Sequence, residues 1–212
     1  MTKKGKLTVI SGFSGSGKGT IVERLVKDHG YVVSISATTR SPRPYETDGV
    51  HYFFLSKDDF EKRIEEDKFL EYAKFVDNYY GTPSDYVDSM LLEGKDVILE
   101  IEVNGALQVK KKRPDSLLIF MVPPSAEQLK ERLTGRGTET SDIINKRLST
   151  AAKETKYINE YDCIVVNDAI DECVQNINSI IAAGKNKINF NNDLYNSIVN
   201  DYKRFENEKG DM

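Results

Sequence analysis

LTVISGFSGSGKGT, residues 7–20, joins an apolar run to a glycine-rich turn, and this stretch decides the fold. The run Leu7–Ile10 predicts a buried strand, and apolar residues then recur at helical spacing over 21–26 until Gly30. Glycines between a strand and a helix let successive backbone N–H groups surround an anion. The N-terminus of the following helix adds partial positive charge at the same place.

The spacing of Gly12, Gly17 and Lys18 matches the phosphate-binding P-loop. Lys18 supplies a mobile full charge for the terminal phosphates of a nucleotide. The pattern is broken at Gly19, where a Ser or Thr hydroxyl usually coordinates Mg²⁺, and Thr20 follows one position later. We therefore expect Mg²⁺ to be held mainly by phosphates and water. The alternative is a glycine-rich turn that binds no ligand.

Length and composition are those of an ordinary globular protein with one large domain, or one domain and an appendage. The net charge of −4 argues against general nucleic-acid binding, and no run approaches the roughly 18 apolar residues of a membrane span. The two cysteines, Cys163 and Cys173, form no metal-binding pattern and favour a reducing, cytoplasmic setting. We expect no nucleic-acid or membrane partner, and a monomer or homodimer.

Strand-like runs alternate with helix-period segments along most of the chain. This alternation predicts an α/β protein with a parallel core sheet flanked by helices. The predicted strands are Leu7–Ile10, Tyr31–Ile35, His51–Leu55, Leu70–Val76, Val97–Val103, Leu117–Val122 and Cys163–Val166. The predicted helices are one ended by Gly30, one begun by Ser56, Asp85–Leu92, one begun by Ser125, 141–160 and Ile170–Ala183.

Residues 36–93 break this alternation because they are rich in strand-like runs and in tyrosine and phenylalanine. We predict that they form an inserted lobe between two parts of a core, 5–35 and 94–184. After the core, the composition shifts to asparagine and charged residues. We predict a partly mobile helical extension at 185–212, with one amphipathic stretch near 193–205.

Two arginines, Arg40 and Arg43, lie three positions apart in the proline-containing segment TTRSPR. Planar guanidinium groups on a stiff loop suit a second phosphate group. Tyr52 and the pair Tyr79-Tyr80 offer hydroxyl donors to the same anion. The alternative for the two arginines is a solvated surface pair.

Five segments taken together resemble the guanylate kinases of the bacterial type, over about residues 5–184. The resemblance implies a P-loop nucleoside monophosphate kinase with a strand-rich GMP-binding lobe at about 36–93 and a mobile helical lid at about 126–155. Such enzymes transfer the γ-phosphoryl group of ATP to GMP, so ATP, GMP and Mg²⁺ are the expected ligands. The five segments are GFSGSGKGT (12–20), SATTRSPRPYETDGVHYFF (36–54), FLEYAKFVDNYYGTP (69–83), ILEIEVNGA (98–106) and RLTGRGTETSDIINKRL (132–148).

The resemblance also implies roles for individual residues. A carboxylate such as Glu71 can accept from both N–H donors of guanine, whereas adenine offers no matching pair. The residues expected at GMP are Arg40, Arg43, Tyr52 and Tyr80 on the phosphate, and Ser36, Glu71 and Thr82 on the guanine. The residues expected at ATP are Gly12, Phe13, Ser14, Gly15, Ser16, Gly17, Lys18, Gly19 and Thr20, with Asn167 near the adenine.

Glu100 and Glu102 alternate along the strand predicted to run through Val103. A period of two places both on one face at the carboxyl end of the strand, where ligands bind on parallel sheets. We expect one of them to contact guanine and one to order water around Mg²⁺ near Thr20. The resemblance suggests aspartates here, so the division of roles stays open, and structural ion pairs are the alternative.

The expected catalytic residues are Lys18 and three lid arginines, Arg132, Arg136 and Arg147. They would spread the negative charge of the transferring phosphoryl group as the lid closes. The acceptor is already a phosphate oxygen, so no histidine base is needed. Surface charge is the alternative for the three arginines.

Three other functions are compatible with parts of this pattern. A guanylate-kinase-like scaffolding module would bind partners without catalysis, but here the P-loop glycines and Lys18 are intact. An adenylate kinase shares GSGKGT, but the TTRSPR loop and Glu71 do not fit it. A switch GTPase requires further guanine-reading motifs, which we do not find.

Overall fold

The computed structural model describes residues 4–135, 140–187 and 191–203. Nine strands are described: β1 (Leu7–Gly12), β2 (Val32–Val33), β3 (Ala37–Thr38), β4 (Phe53–Phe54), β5 (Phe69–Phe75), β6 (Asn78–Pro83), β7 (Val97–Glu100), β8 (Leu117–Val122) and β9 (Cys163–Val166). Eight α-helices are described within the same residues: α1 (Lys18–His29), α2 (Lys57–Glu65), α3 (Ser84–Leu92), α4 (Val103–Lys112), α5 (Ala126–Thr134), α6 (Ser141–Glu154), α7 (Ile170–Gly184) and α8 (Asn192–Lys203). A 3-10 helix, Thr155–Glu160, continues α6.

The core sheet has the strand order β2-β7-β1-β8-β9, and all its pairings are parallel. Every residue of β1 is buried, because helices cover both faces of the sheet. One apolar cluster packs α1 and α7 on one face, and a second packs α3 and α4 on the other. The predicted parallel sheet is therefore confirmed, and the carboxyl ends of β1, β7 and β9 meet at one edge.

A second sheet, of order β4-β3-β6-β5, lies within the predicted inserted lobe. Its antiparallel pair β5–β6 is the longest, with β3 antiparallel to β6 and parallel to β4. Phe60 of α2 stacks between Phe69 and Tyr79, with ring centroids 4.3 and 5.3 Å apart. This stack and its neighbours form an apolar core separate from that of the parallel sheet. The boundaries of the lobe at 36–93 remain a prediction.

Several predicted elements differ from the observed ones. The strand predicted at Val97–Val103 ends at Glu100, and α4 begins at Val103, because Val103, Ala106 and Val109 bury one helical face. Strands β3 and β6 were not predicted; β3 is two residues long, and β6 carries Gly81 and Pro83, which are poor strand formers. Helix α6 ends six residues earlier than predicted, at Glu154, where it tightens into the 3-10 helix.

Helix α8 lies within the predicted extension at 185–212, whose extent remains a prediction, and it exposes Leu194, Tyr195, Ile198 and Tyr202. Among the described helices, none combines the length and apolar character that crossing a bilayer requires. Cys163 and Cys173 are both free thiols.

The aromatic stack of the second sheet yields a stability prediction. Phe60 is fully buried, so Phe60→Ala should lower the free energy of unfolding by about 3–5 kcal/mol. Denaturant unfolding monitored by circular dichroism measures this change. Phe75→Ala is the matched control, since Phe75 lies in the same sheet but is 70% exposed, and it should change stability by less than about 0.5 kcal/mol. Equal effects of the two substitutions would contradict this account of the lobe core.

Candidate active site

The P-loop connects the end of β1 to the start of α1. Gly12 has φ +146°, and a Cβ there would lie 2.0 Å from the carbonyl oxygen of Met121 on β8, so only glycine fits. Gly17 has φ +92° and forms the left-handed N-cap of α1. These conformations curl the chain over a pocket of about 270 Å³ lined by Ser14, Gly15, Gly17, Lys18, Gly19, Thr20 and Glu100.

Two side chains from outside the P-loop hold it from behind. The amide Nδ2 of Asn167, which follows β9, donates to the Ser16 carbonyl at 2.8 Å. Arg132 of α5 donates to the Asn167 carbonyl at 2.8 Å and to the Ser16 carbonyl at 3.4 Å. Asn167 is 5% exposed, and within the described part of the chain its Oδ1 has no hydrogen-bond partner. The structure therefore places Asn167 and Arg132 against the P-loop backbone, and their expected contacts with ATP remain predictions.

Lys18 lies in the pocket with its ammonium group among backbone and carboxylate oxygens. Its Nζ donates to the carbonyls of Gly12 at 2.8 Å and Phe13 at 3.1 Å. Burial lowers the pKa of Lys18, while the nearby carboxylates of Glu100, Glu154 and Glu102 act in the opposite direction. An incoming phosphate would therefore meet a lysine that is already surrounded by polar groups.

The prediction that Glu100 and Glu102 share one strand is wrong. Glu100 ends β7, whereas Glu102 is the N-cap residue of α4, so the two do not alternate on a strand face. The chain leaves the sheet after Glu100 because the buried face of α4 requires the turn there. Both carboxylates nonetheless act electrostatically on Lys18. Burial raises the pKa of Glu100, and the charge of Lys18 lowers it.

The site also contains a carboxylate that sequence reasoning missed. Glu154, the last residue of α6, is half-buried, and among the described residues its Oε2 has no hydrogen-bond partner. Burial raises its pKa, with a further increase from Glu102 and a decrease from Lys18. No spacing or motif marks Glu154, because only the fold brings the end of α6 toward the P-loop.

The residues near the P-loop are compatible with Mg²⁺ but form no preassembled cage. In the regions that the structure describes, no three His, Cys, Asp or Glu side chains are arranged to hold a metal ion. Oxygen donors are present in Thr20, Glu100 and Glu102, which is the ligand type that Mg²⁺ prefers. A Cβ at Gly19 would lie 3.9 Å from Glu100 Oε1, so the carboxylate borders the position where the P-loop hydroxyl is missing. This donor set fits an ion that keeps most of its water.

A second cationic cluster surrounds Arg40 in the second sheet. Arg40 Nη1 and Nη2 donate to the two carboxylate oxygens of Glu46 at 3.0 and 2.9 Å. The guanidinium carbon lies 5.6 Å from the ring centroid of Tyr52, and the Tyr52 and Tyr80 rings pack edge to face. The structure therefore brings Arg40, Tyr52 and Tyr80 together, and their expected contact with a phosphate group remains a prediction. Arg43 lies nearby, but its side chain donates to the hydroxyl of Tyr45 at 2.9 Å and is exposed.

Glu46 was missed by sequence reasoning, although it organises this cluster. It accepts from Arg40 and from the backbone N–H of Arg43, and these bonds lower the pKa of Glu46 to about 2. Its side chain is 6% exposed. Glu46 therefore stays ionised, and its two hydrogen bonds fix the orientation of the planar Arg40 guanidinium group. The one sequence feature that could have indicated this role is the position of Glu46 three residues after Arg43, next to a turn.

Glu71 and Thr82 face each other across the β5–β6 pair. The hydroxyl of Thr82 donates to Glu71 Oε1 at 2.6 Å. Glu71 is only 7% exposed, and burial raises its pKa, while hydrogen bonds from Thr82 lower it. Ser36 precedes β3, and its carbonyl accepts from Phe53 N–H at 2.9 Å. A buried carboxylate with one small polar neighbour is thus positioned to accept two further hydrogen bonds.

The three predicted lid arginines have different outcomes. Arg132 contacts the back of the P-loop, as described above, and Arg147 is half-buried on α6. Arg136 lies outside the described residues. Helices α5 and α6 share a small apolar cluster of their own, to which Phe13 of the P-loop also belongs.

The fold, the P-loop with Lys18 and the cationic cluster at Arg40 together define a P-loop α/β phosphotransferase of the nucleoside monophosphate kinase class. The family model described as guanylate kinase matches residues 4–184. The guanylate kinase of Caldanaerobacter subterraneus subsp. tengcongensis is 50% identical over 197 residues, which are 92% of this chain and 96% of that protein. That of Desulfitobacterium hafniense is 50% identical over 185 residues, or 87% and 92% of the two chains.

Structural comparison agrees with these sequence matches. The crystal structure of guanylate kinase from Anaplasma phagocytophilum is similar with a TM-score of 0.64 at 28% identity, covering 89% of this chain and 90% of that one. The chain therefore belongs to the guanylate kinase family, the ATP:GMP phosphotransferases. The expected family, fold class and enzyme class are confirmed.

The Arg40–Glu46 pair yields a prediction for substrate binding. Glu46→Gln removes the charge that orients Arg40, so KM for GMP should rise about tenfold, the usual scale for a charged hydrogen bond. A coupled ADP-release assay with varied GMP measures it. Glu66→Gln is the control, because it breaks an exposed ion pair with Lys68 elsewhere in the lobe and should leave KM unchanged. A Glu46→Gln enzyme with an unaltered KM would rule out an orienting role.

Proposed function

We propose that this chain transfers the γ-phosphoryl group of ATP to GMP, with the P-loop holding ATP and the second sheet holding GMP. The observation that carries the proposal is the buried carboxylate of Glu71 beside Thr82, in the same lobe as the Arg40 cluster. Guanine presents two N–H donors on one edge, and a single carboxylate can accept a hydrogen bond from each of them at the same time. AMP would leave the Glu71 carboxylate buried without those partners, and such a loss is costly.

The phosphate of GMP fits the cluster formed by Arg40, Tyr52 and Tyr80. Arg40 has a planar guanidinium group, and Glu46 keeps it oriented before substrate arrives. Two hydroxyl groups on neighbouring aromatic rings supply further donors. Arg43 would also donate to this phosphate, once its exposed side chain has given up its hydrogen bond to the Tyr45 hydroxyl. The cluster thus holds the acceptor phosphate by charge and by directed hydrogen bonds.

On the donor side, the P-loop N–H groups and Lys18 bind the ATP phosphates. Lys18 must exchange its bonds to the Gly12 and Phe13 carbonyls for phosphate oxygens, which a flexible ammonium group does easily. Mg²⁺ supplies charge neutralisation at those oxygens when it is bound, and Thr20, Glu100 and Glu102 are the residues that would hold it or its water. The chain's own residues position both substrates, so catalysis rests on alignment and charge.

The segment at about 126–155 is proposed to act as the lid. Its helices pack on each other, and an apolar cavity of about 570 Å³ is lined by residues of α5 and α6 and by Phe13 of the P-loop. Movement of these helices would bring Arg136 and Arg147 toward the phosphates and exclude water, which prevents simple hydrolysis of ATP. The free thiols of Cys163 and Cys173 suit a reducing compartment, and we propose the cytoplasm.

An activity assay tests the assignment of both sites. ADP release should require GMP and not occur with AMP at equal concentration. Lys18→Ala should lower kcat at least about 100-fold by removing transition-state charge stabilisation, and Glu71→Gln should mainly raise KM for GMP. Lys111→Ala, on the exposed side of α4, is the control. ADP release that is equal with AMP and GMP would contradict the role of Glu71.

The raised pKa of Glu71 predicts a pH dependence of GMP binding. Only the ionised carboxylate can accept from both guanine donors, so affinity should fall on acidification, and at a higher pH than for an exposed glutamate. The phosphate of GMP itself titrates near pH 6. Glu71→Gln keeps that phosphate titration but loses the carboxylate. The two profiles, measured by calorimetry, should therefore differ below neutral pH, and parallel profiles would contradict the prediction.

A further inference from the structure

Helix α4 borders the strand that carries Glu71. In the part of the chain that the structure describes, strand β5 pairs with β6 along one side only, and on its other side the α4 residue Gln108 contacts the β5 backbone. Tyr72 N–H donates to Gln108 Oε1 at 3.2 Å, and Gln108 Nε2 donates to the Tyr72 carbonyl at 3.1 Å. One turn later, Lys112 Nζ donates to the Phe69 carbonyl at 2.6 Å. Helix α4 thus fixes the backbone on both sides of Glu71.

The side chain of Glu71 lies against Gly105, in the first turn of α4. A Cβ at Gly105 would lie 2.8 Å from Glu71 Oε2 and 3.3 Å from both Cδ and Cγ. The backbone of Gly105 does not need glycine, because its φ is not positive. Outside α4 itself, the three nearest atoms that a methyl group would meet all belong to the Glu71 side chain. The missing side chain therefore serves the carboxylate and not the turn.

We propose that Gly105 is a specificity-determining positioning residue, whose lack of a side chain provides the space in which the Glu71 carboxylate faces guanine. The inference rests on the proposed guanine-reading role of Glu71. A methyl group at this position would displace the carboxylate from its present position, in which its Oε1 accepts from the Thr82 hydroxyl at 2.6 Å. The displaced carboxylate would accept poorly from one or both guanine donors. Discrimination between GMP and AMP would then decrease, while the ATP site would be untouched.

The test compares GMP and AMP binding to Gly105→Ala, Glu71→Gln, Lys111→Ala and the unmodified chain. Calorimetry without ATP measures binding apart from catalysis. Gly105→Ala should raise the dissociation constant for GMP about 10- to 100-fold, change AMP binding little, and leave KM for ATP unchanged. Lys111→Ala lies on the exposed side of the same helix and should change none of these. Thermal unfolding checks the fold, which alanine should preserve because it is the better helix former.

A double substitution tests whether Gly105 acts through Glu71. Glu71→Asp shortens the side chain and so withdraws the carboxylate from Gly105. Adding Gly105→Ala to the Glu71→Asp variant should therefore raise the dissociation constant for GMP by less than a further factor of about three. This background also provides the measurement if Gly105→Ala alone does not fold. A full additional loss in the double variant, or its failure to fold, overturns the inference.

Two outcomes separate this inference from the proposed function. If Glu71→Gln weakens GMP binding but Gly105→Ala does not, the space at Gly105 is unimportant, and only this inference is overturned. If Glu71→Gln binds GMP as tightly as the unmodified chain, the guanine-reading role fails and this inference fails with it.

Discussion

The close approach of β1 to β8 is the constraint on which the rest of the active site depends. Gly12 ends β1 directly against the Met121 carbonyl, so the chain must leave the sheet there without a side chain. The loop that follows is then held from behind by Asn167 and Arg132 through the Ser16 carbonyl. Because all pairings of the core sheet are parallel, these groups arrive at one edge from distant parts of the chain. The conformation of the P-loop therefore depends on strand register as well as on the glycine motif.

The sequence predicts the parts of this structure that local patterns encode. The P-loop, the apolar strands β1, β8 and β9, and the caps at Ser56 and Ser125 follow from spacing and hydrophobic period. The short strand β3 cannot be predicted in this way, because two residues are too few to show a hydrophobic period. Helix α4 cannot either, because its first apolar residues continue the apolar run of β7. The prediction for Glu100 and Glu102 failed for the same reason. Glu46 and Glu154 carry no motif, and only tertiary contacts give them a place near Arg40 and Lys18.

Both cationic clusters are paired with carboxylates of the same chain. Arg40 is held by Glu46, and Lys18 lies in the field of Glu100, Glu102 and Glu154. Such pairing keeps like charges from repelling each other within the fold, and it fixes the orientation of a guanidinium group in particular. The two clusters differ in rigidity. Arg40 makes a two-bond contact to a nearly enclosed carboxylate, whereas Lys18 donates to two backbone carbonyls that it can exchange for phosphate. Under the proposed function, the acceptor side is thus preorganised, and the donor side is adaptable.

Glu71 differs from these carboxylates because the described residues around it provide a hydroxyl group and no cation. Burying an acid with so little compensation disfavours its charged form, so the site gains most from a ligand that donates two hydrogen bonds at once. Guanine satisfies that condition and adenine does not. The same helix, α4, begins next to Glu100 and Glu102, the carboxylates near Lys18. It then binds the β5 backbone through Gln108, and Gly105 leaves space for the Glu71 side chain. One helix therefore relates the carboxylate that we propose to read guanine to the phosphate end of the site, so in that proposal a displacement of α4 would change nucleotide recognition and phosphate alignment together.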